Sequence, residues 1–160
     1  MLRKASMSDM AFLYRMYMDP ANNPWLLYER MPEPAFRPVM GELIAAGFKY
    51  VYEAGGRPVG MFKLVPQLHR NSHIVYLGGV AVLPECSGMG HGSAMLRLGL
   101  DLAHGAGLRR VELTVATENL RAIRLYERLG FVKEGVLRDF SYLRSEGRYI
   151  DEQVMALIMR

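Results

Sequence analysis

Between Val80 and Leu96 the chain carries the residue types of an anion site. An apolar segment, Val80-Ala81-Val82-Leu83, meets Pro84-Glu85-Cys86, and then Ser87-Gly88-Met89-Gly90-His91-Gly92-Ser93 opens an amphipathic run. Glycines at spacing two let the backbone curl tightly and leave no Cβ in a ligand's way. A helix beginning there adds unpaired N–H groups and the positive end of its dipole. Strand, glycine loop and helix N-terminus together make a phosphate cradle.

Three kinds of cradle share that outline. A P-loop requires a lysine directly after its last glycine, and no lysine lies between Lys63 and Lys133. A dinucleotide fingerprint requires Gly-x-Gly-x-x-Gly/Ala close behind the strand. Here Ser93 takes the third place and Pro84 to Ser87 intervene, although Glu112 lies about twenty residues on, where a ribose-binding acid would stand. The third kind is the acyl-CoA pyrophosphate loop. A second motif, Asn119-Leu120-Arg121-Ala122-Ile123-Arg124-Leu125-Tyr126-Glu127-Arg128-Leu129-Gly130-Phe131, favours it. Asn119 is a good N-cap, Ala122, Leu125, Tyr126 and Leu129 form one apolar face, and Gly130 closes the helix.

The two motifs together resemble the GNAT superfamily of acyl-CoA-dependent N-acyltransferases. The loop is similar to the family's Arg/Gln-x-x-Gly-x-Gly/Ala signature, with Ser87 where Arg or Gln is usual. The helix is similar to its Asn-x-x-Ala-x-x-Leu-Tyr-x-x-x-Gly-Phe signature. The resemblance is tight from Val80 to Phe131 and extends in element order over nearly the whole chain. It implies acetyl-CoA as co-substrate and transfer of the acetyl group to a primary amine by direct attack in a ternary complex.

On that resemblance, the backbone of Val80, Ala81 and Val82 pairs with the pantetheine arm, which inserts beside the central strand. The amides of Ser87, Gly88, Met89, Gly90, His91, Gly92 and Ser93 hold the pyrophosphate. Asn119 and Ala122 line the arm, and Arg128 assists the phosphates. Tyr126 gives a hydrogen bond or proton to the departing thiolate, a task that suits a phenol of pKa near 10. The side chains of Val80 and Val82, alternating onto one face, are expected to be core.

An alkylamine of pKa near 10 is only about one part in a thousand neutral at pH 7, so a base is needed. Relatives often place a carboxylate on the central strand, but the comparable stretch here is His73-Ile74-Val75-Tyr76. Glu112 and His73 are the candidates. Cys86, His69 and His104 have no metal-ligand spacing, and no metal is expected. A CoA-binding sensor without turnover and a nucleotide-binding protein are the alternatives.

These groups need elements to hold them. Leu2 to Ser6 reads as a strand, and Ser8-Asp9 caps a helix to about Met18. Ala21 to Pro38 holds four prolines and is expected to be irregular, with a helix from Pro38 to Ala46. Phe48, Tyr50 and Tyr52 alternate with Lys49, Val51 and Glu53 as in a strand, which turns at Gly55-Gly56 into Val59 to Val65. The next strand, His73 to Val82, contains Gly78-Gly79, a pair suited to a bulge beside a ligand. A helix from Gly90 to His104 should bury Met95, Leu96, Gly99, Leu102, Ala103 and Ala106. A strand at Leu108 to Val115, the Asn119 helix, and strands at Phe131–Leu137, Phe140–Leu143 and Tyr149–Ile158 complete the order. The fold class is α/β of mixed α+β type. The resemblance implies a central, mostly antiparallel twisted sheet, splayed between its fourth and fifth strands, with helices on both faces.

One domain accounts for 160 residues, of which 51% are hydrophobic. No apolar run approaches a membrane span, the N-terminus lacks an apolar signal core, and the single cysteine excludes an internal disulfide, all fitting a cytoplasmic protein. The net charge of +4 comes without a basic run, so nucleic acid is not expected as a partner. A small-molecule amine or a peptide N-terminus is, with a homodimer left open. Acceptor selection is expected from Ala21–Pro38 and the hairpin from Tyr142 to Asp151.

Overall fold

The computed structural model describes residues Met1–Arg160. In chain order the elements are β1 (Leu2–Lys4), α1 (Met10–Met18), α2 (Glu33–Ala45), β2 (Lys49–Ala54), β3 (Arg57–Pro66), β4 (Ile74–Val82), α3 (His91–Gly105), β5 (Arg110–Ala116), α4 (Leu120–Arg128), β6 (Val132–Leu143) and β7 (Arg148–Ile158). The strands form one seven-stranded sheet in the order β1-β2-β3-β4-β5-β7-β6. Every neighbouring pair is antiparallel except β4 and β5.

That parallel pair is short. Ile74 faces Arg110, Val75 faces Val111 and Tyr76 faces Glu112, after which the ladder stops although β4 runs on to Val82 and β5 to Ala116. The sheet opens as expected, between its fourth and fifth strands. A bulge helps to turn β4 away: between the Met61–Ala81 and Lys63–Gly78 pairs, β4 spends one residue more than β3. It falls at Gly79, where a Cβ would stand 2.6 Å from Tyr17 Oη and 3.2 Å from Lys49 Nζ. Only a glycine admits so close a neighbour.

Both faces of the sheet are covered. On one, Gly60 and Phe62 meet α3, a Cβ on Gly99 lying 2.8 Å from the Phe62 ring and one on Gly60 2.8 Å from Met95 Sδ. On the other, Lys49, Val51, Met61 and Lys63 share a face through the Lys49–Lys63 and Val51–Met61 pairs, and α1 reaches that face with Tyr17. The alternation in β2 therefore does not separate core from solvent. Val51 and Lys49 are both fully buried, and Tyr52 on the opposite face is buried as well.

Three local expectations are corrected. α2 begins at Glu33 and takes Pro38 inside it. Pro34 falls in the first turn, where its missing N–H costs nothing, and the turn around Pro38 is exposed, so the freed carbonyl is not trapped in the core. Phe36 and Met40, four residues apart and fully buried, hold the helix down, with Phe36 5.4 Å from the Tyr14 ring and 5.5 Å from the Tyr17 ring. The two last-but-one strands are one strand, β6, whose register shifts between Leu137 and Ser141. Asp139 takes φ +50 there and its N–H donates to Asp151 Oδ1 at 2.8 Å, a position aspartate tolerates. In α3, Met95, Leu96, Gly99 and Ala103 are buried, while Leu102 stays 44% exposed and Ala106 lies past the helix end.

Lys49 has no carboxylate partner. Its Nζ lies 3.0 Å from Tyr17 Oη and 4.8 Å from the centroid of that ring. Burial, and secondarily the nearby charge of Lys63, pushes its pKa well below the usual lysine value of 10.5. The folded chain thus binds fewer protons here than the unfolded chain, and stability rises with pH up to about 10.5. The stability of the wild-type protein relative to Lys49→Met is expected to increase between pH 7 and pH 10, by at most about 1.4 kcal/mol per pH unit. Denaturant melts of both proteins across that range measure it. A pH-independent difference would show that Lys49 is charged in the fold.

Candidate active site

Two cavities meet at the opening between β4 and β5. The larger, of about 650 Å³, runs from the Val80–Val82 segment over the glycine loop to α4. The smaller, of about 380 Å³, is walled by the segment after α1, the mid-parts of β4 and β5, and the β6–β7 hairpin. Trp25, Val80, Asn119, Ala122 and Tyr126 line both. The shared wall is the point at which a group held in one cavity meets a group held in the other.

The glycine loop is built by left-handed backbone. Gly88 has φ +80, and Gly90 has φ +84 with ψ −2 and serves as the N-cap of α3. No atom stands within 4 Å of a Cβ built on either, so the space above them is open to a ligand. No side chain caps α3, leaving its first N–H groups for that ligand. Gly92 serves packing instead: a Cβ there would lie 3.3 Å from Leu125 Cδ2, so glycine lets α3 and α4 approach. The loop fits a pyrophosphate, as a concave run of amides that a side chain would fill.

Asn119 caps α4, its Oδ1 accepting from the Ala122 N–H at 3.3 Å. Its amide group lies at the wall common to both cavities. Tyr126, two turns on, is 6% exposed, and its ring meets Phe131 edge-on at 5.7 Å. Burial, with a smaller effect of Tyr76, pushes its phenol well above the usual value of 10.0, so it keeps its proton at physiological pH. Every fully buried side-chain polar atom has a hydrogen-bond partner; Tyr126 Oη has none and is accordingly open to the cavities. In α4 the buried pair is Ile123 and Tyr126, with Ala122, Leu125 and Leu129 half-buried beside them.

The structure brings Val80, Ala81, Val82, Ser87, Gly88, Gly90, Gly92, Ser93, Asn119, Ala122, Tyr126 and Arg128 to one cavity. Met89 and His91 are not among its walls. Met89 sits between two left-handed glycines and turns outward, 68% exposed. The His91 ring leans over Tyr52, 6.0 Å away. Val80 and Val82 are half-buried and face the cavity, while Ala81 between them is the core residue.

Glu112 lines neither cavity. Its Oε1 accepts from Gln67 Nε2 at 2.9 Å and its Oε2 from Arg110 Nε at 2.9 Å, and Arg110 also pairs with Glu134. An arginine two residues away on the same strand face has captured it. His73 is exposed just before β4 and also lines neither cavity. The dinucleotide-fold alternative loses its ribose acid on the same observation, and a mostly antiparallel sheet is not its scaffold.

Sequence reading missed several walls. Arg121 lines the larger cavity, as do Asn22 and the buried Cys86. Both segments expected to select the acceptor line the smaller cavity, with Trp25, Tyr28 and Tyr142 among its walls. Asn23 is an anchor, its Nδ2 donating to the carbonyls of Tyr17 and Tyr28 at 2.8 and 3.0 Å. No group of three potential metal ligands is present, and no helix is long and apolar enough to cross a membrane.

Comparison with known proteins agrees with this fold. A mycothiol acetyltransferase of Pseudarthrobacter chlorophenolicus is 36% identical over 111 residues, 67% of this chain; the chain spans only 32% of that relative's length. An L-amino acid N-acetyltransferase of Escherichia coli is 29% identical over 141 residues, covering 87% of this chain and 78% of that protein. The structure of spermidine N-acetyltransferase from Vibrio cholerae, solved with CoA and spermine, superposes with a TM-score of 0.85 at 22% identity over 99% of this chain and 94% of that one. Residues 10–131 match the acetyltransferase (GNAT) family, and the chain belongs to it.

Proposed function

We propose that the protein transfers an acetyl group from acetyl-CoA to a primary amine of a small molecule, by direct attack within a ternary complex. The observation that carries this reading is the meeting of two cavities at one wall, with the open hydroxyl of Tyr126 in it. The larger cavity takes the co-substrate and the smaller the amine. Relatives named for mycothiol, L-amino acids and spermidine support a small acceptor.

Acetyl-CoA supplies an activated thioester; the chain supplies the holding. Amides of the Gly88–Ser93 loop and the first turn of α3 bind the pyrophosphate, with the Ser87 hydroxyl where relatives place a longer donor. Arg121 and Arg128 on the cavity wall add positive charge for the phosphates. Beyond Tyr76, β4 has no partner on its β5 side, so its main-chain groups there remain for the amides of the pantetheine arm. Tyr126 donates to the sulfur as charge develops on it. Neither Glu112 nor His73 reaches the amine, so neither is assigned as the base.

Acetyl-CoA and CoA are expected to raise the melting temperature and NAD and ATP to leave it nearly unchanged. At ligand near one hundred times its dissociation constant the gain corresponds to about 2.7 kcal/mol. A thermal-shift plate with the four ligands, followed by an amine screen read by free-thiol release, tests the reading. No shift with saturating acetyl-CoA would overturn it.

A further inference from the structure

The smaller cavity is lined by a lysine that has no ion-pair partner. Lys63 lies on β3 opposite Gly78 of β4, half-buried, and no carboxylate approaches its Nζ within 4.0 Å. Its stem lies over Gly78, where a Cβ would stand 3.0 Å from Lys63 Cε and 2.7 Å from Tyr76 Cε1. Nζ makes no hydrogen bond in the protein and, since no fully buried polar atom is left unpartnered, it is open to solvent or ligand. The acids on the same cavity do not meet it: Glu152 accepts from Ser141 Oγ at 2.7 Å, and Glu29 is exposed.

The residue across the sheet supplies no partner. Lys49, directly opposite on β2, is fully buried and also lacks a carboxylate. Burial disfavours the charged form of Lys49, so Lys63 is the cation of this pair, and an ammonium held there is costly without a counter-ion. The position is also suitable in reach. Gly78 is two residues before Val80, where the cavities join, a separation of roughly 7 Å along a strand. A lysine's four-carbon stem covers much of that span.

We infer that Lys63 receives a carboxylate of the acceptor, so that the favoured substrates are amines bearing an anionic group a few bonds from nitrogen, amino acids being the simplest class. This rests on the smaller cavity being the acceptor site of an N-acetyltransferase. The amine then lies at the shared wall and the carboxylate under Tyr76, where it completes the missing ion pair.

The test is steady-state kinetics with L-amino acids and the corresponding L-amino acid amides, read by thiol release. The wild-type protein should prefer the acids by roughly ten- to a hundredfold in kcat/KM, the worth of one charge-assisted hydrogen bond. Lys63→Met should abolish the preference by raising KM for the acids while leaving kcat/KM for the amides within about threefold, and Lys63→Arg should restore part of it. Melting temperature and the acetyl-CoA shift, measured on each variant, confirm an intact fold. Equal rates for acids and amides, a preference for polyamines, or an equal loss on both series in Lys63→Met would overturn the inference while leaving acetyl transfer standing. Absence of both an acetyl-CoA shift and thiol release with any amine would overturn the parent reading with it.

Discussion

Tyr126→Phe is expected to lower kcat by roughly ten- to a thousandfold while acetyl-CoA affinity changes little. The substitution removes one oxygen and keeps the ring, so the edge-on contact with Phe131 and the packing beside Ile123 survive. The hydroxyl makes no hydrogen bond within the protein, so its removal leaves no buried partner unsatisfied. What is lost is a donor aimed at the wall where the two cavities join. Because burial holds the phenol's pKa up, the group is protonated across the whole working range and its loss is not rescued by lowering the pH. Kinetics with one active amine, with melting temperatures alongside, measure it. An unchanged kcat would make Tyr126 a core aromatic; a large fall in melting temperature would give the hydroxyl a structural task instead.

Gly90→Val is expected to weaken CoA binding by at least about a hundredfold, the equivalent of two charge-assisted hydrogen bonds lost from the pyrophosphate. The residue sits at φ +84, where a β-branched side chain is an outlier costing about 1–3 kcal/mol. Nothing in the protein stands within 4 Å of the new Cβ, so the side chain clashes with no neighbour and projects over the loop instead. Isothermal titration of CoA into the variant, at a temperature well below its melting point, is the measurement. A folded variant with wild-type affinity would mean that the pyrophosphate lies elsewhere.

The glycine loop and the Asn119 helix were legible because their chemistry is written in the main chain. A left-handed turn demands glycine, a cap demands a short polar side chain, and a helix fixes which residues share a face. Side chains around the loop were less legible. Nothing in Ser-Gly-Met-Gly-His-Gly says that Met89 faces water or that His91 leans over β2, since both follow from the path the glycines take. Glu112 lies off both cavities for a tertiary reason: Gln67, 45 residues earlier, and Arg110 claim its two oxygens. Lys49 and Lys63 carry no such signal, because a lysine in an alternating strand reads as its wet face, whereas α1 covers Lys49 here. α2 began five residues before Pro38, since Phe36 and Met40 anchor it more strongly than one missing N–H opposes it.

The short parallel ladder also has a mechanical meaning. Counted by their ladders, β1 to β4 form one antiparallel ribbon of four strands and β5, β7 and β6 another of three. Three residue pairs fasten them, against seven between β5 and β7 alone. The cleft thus runs along the seam where the sheet is most lightly sewn, with a separately braced set of strands on each side. A molecule lying across the seam beyond the Tyr76–Glu112 pair touches both sets of strands, and so adds cross-links where the main chain supplies none.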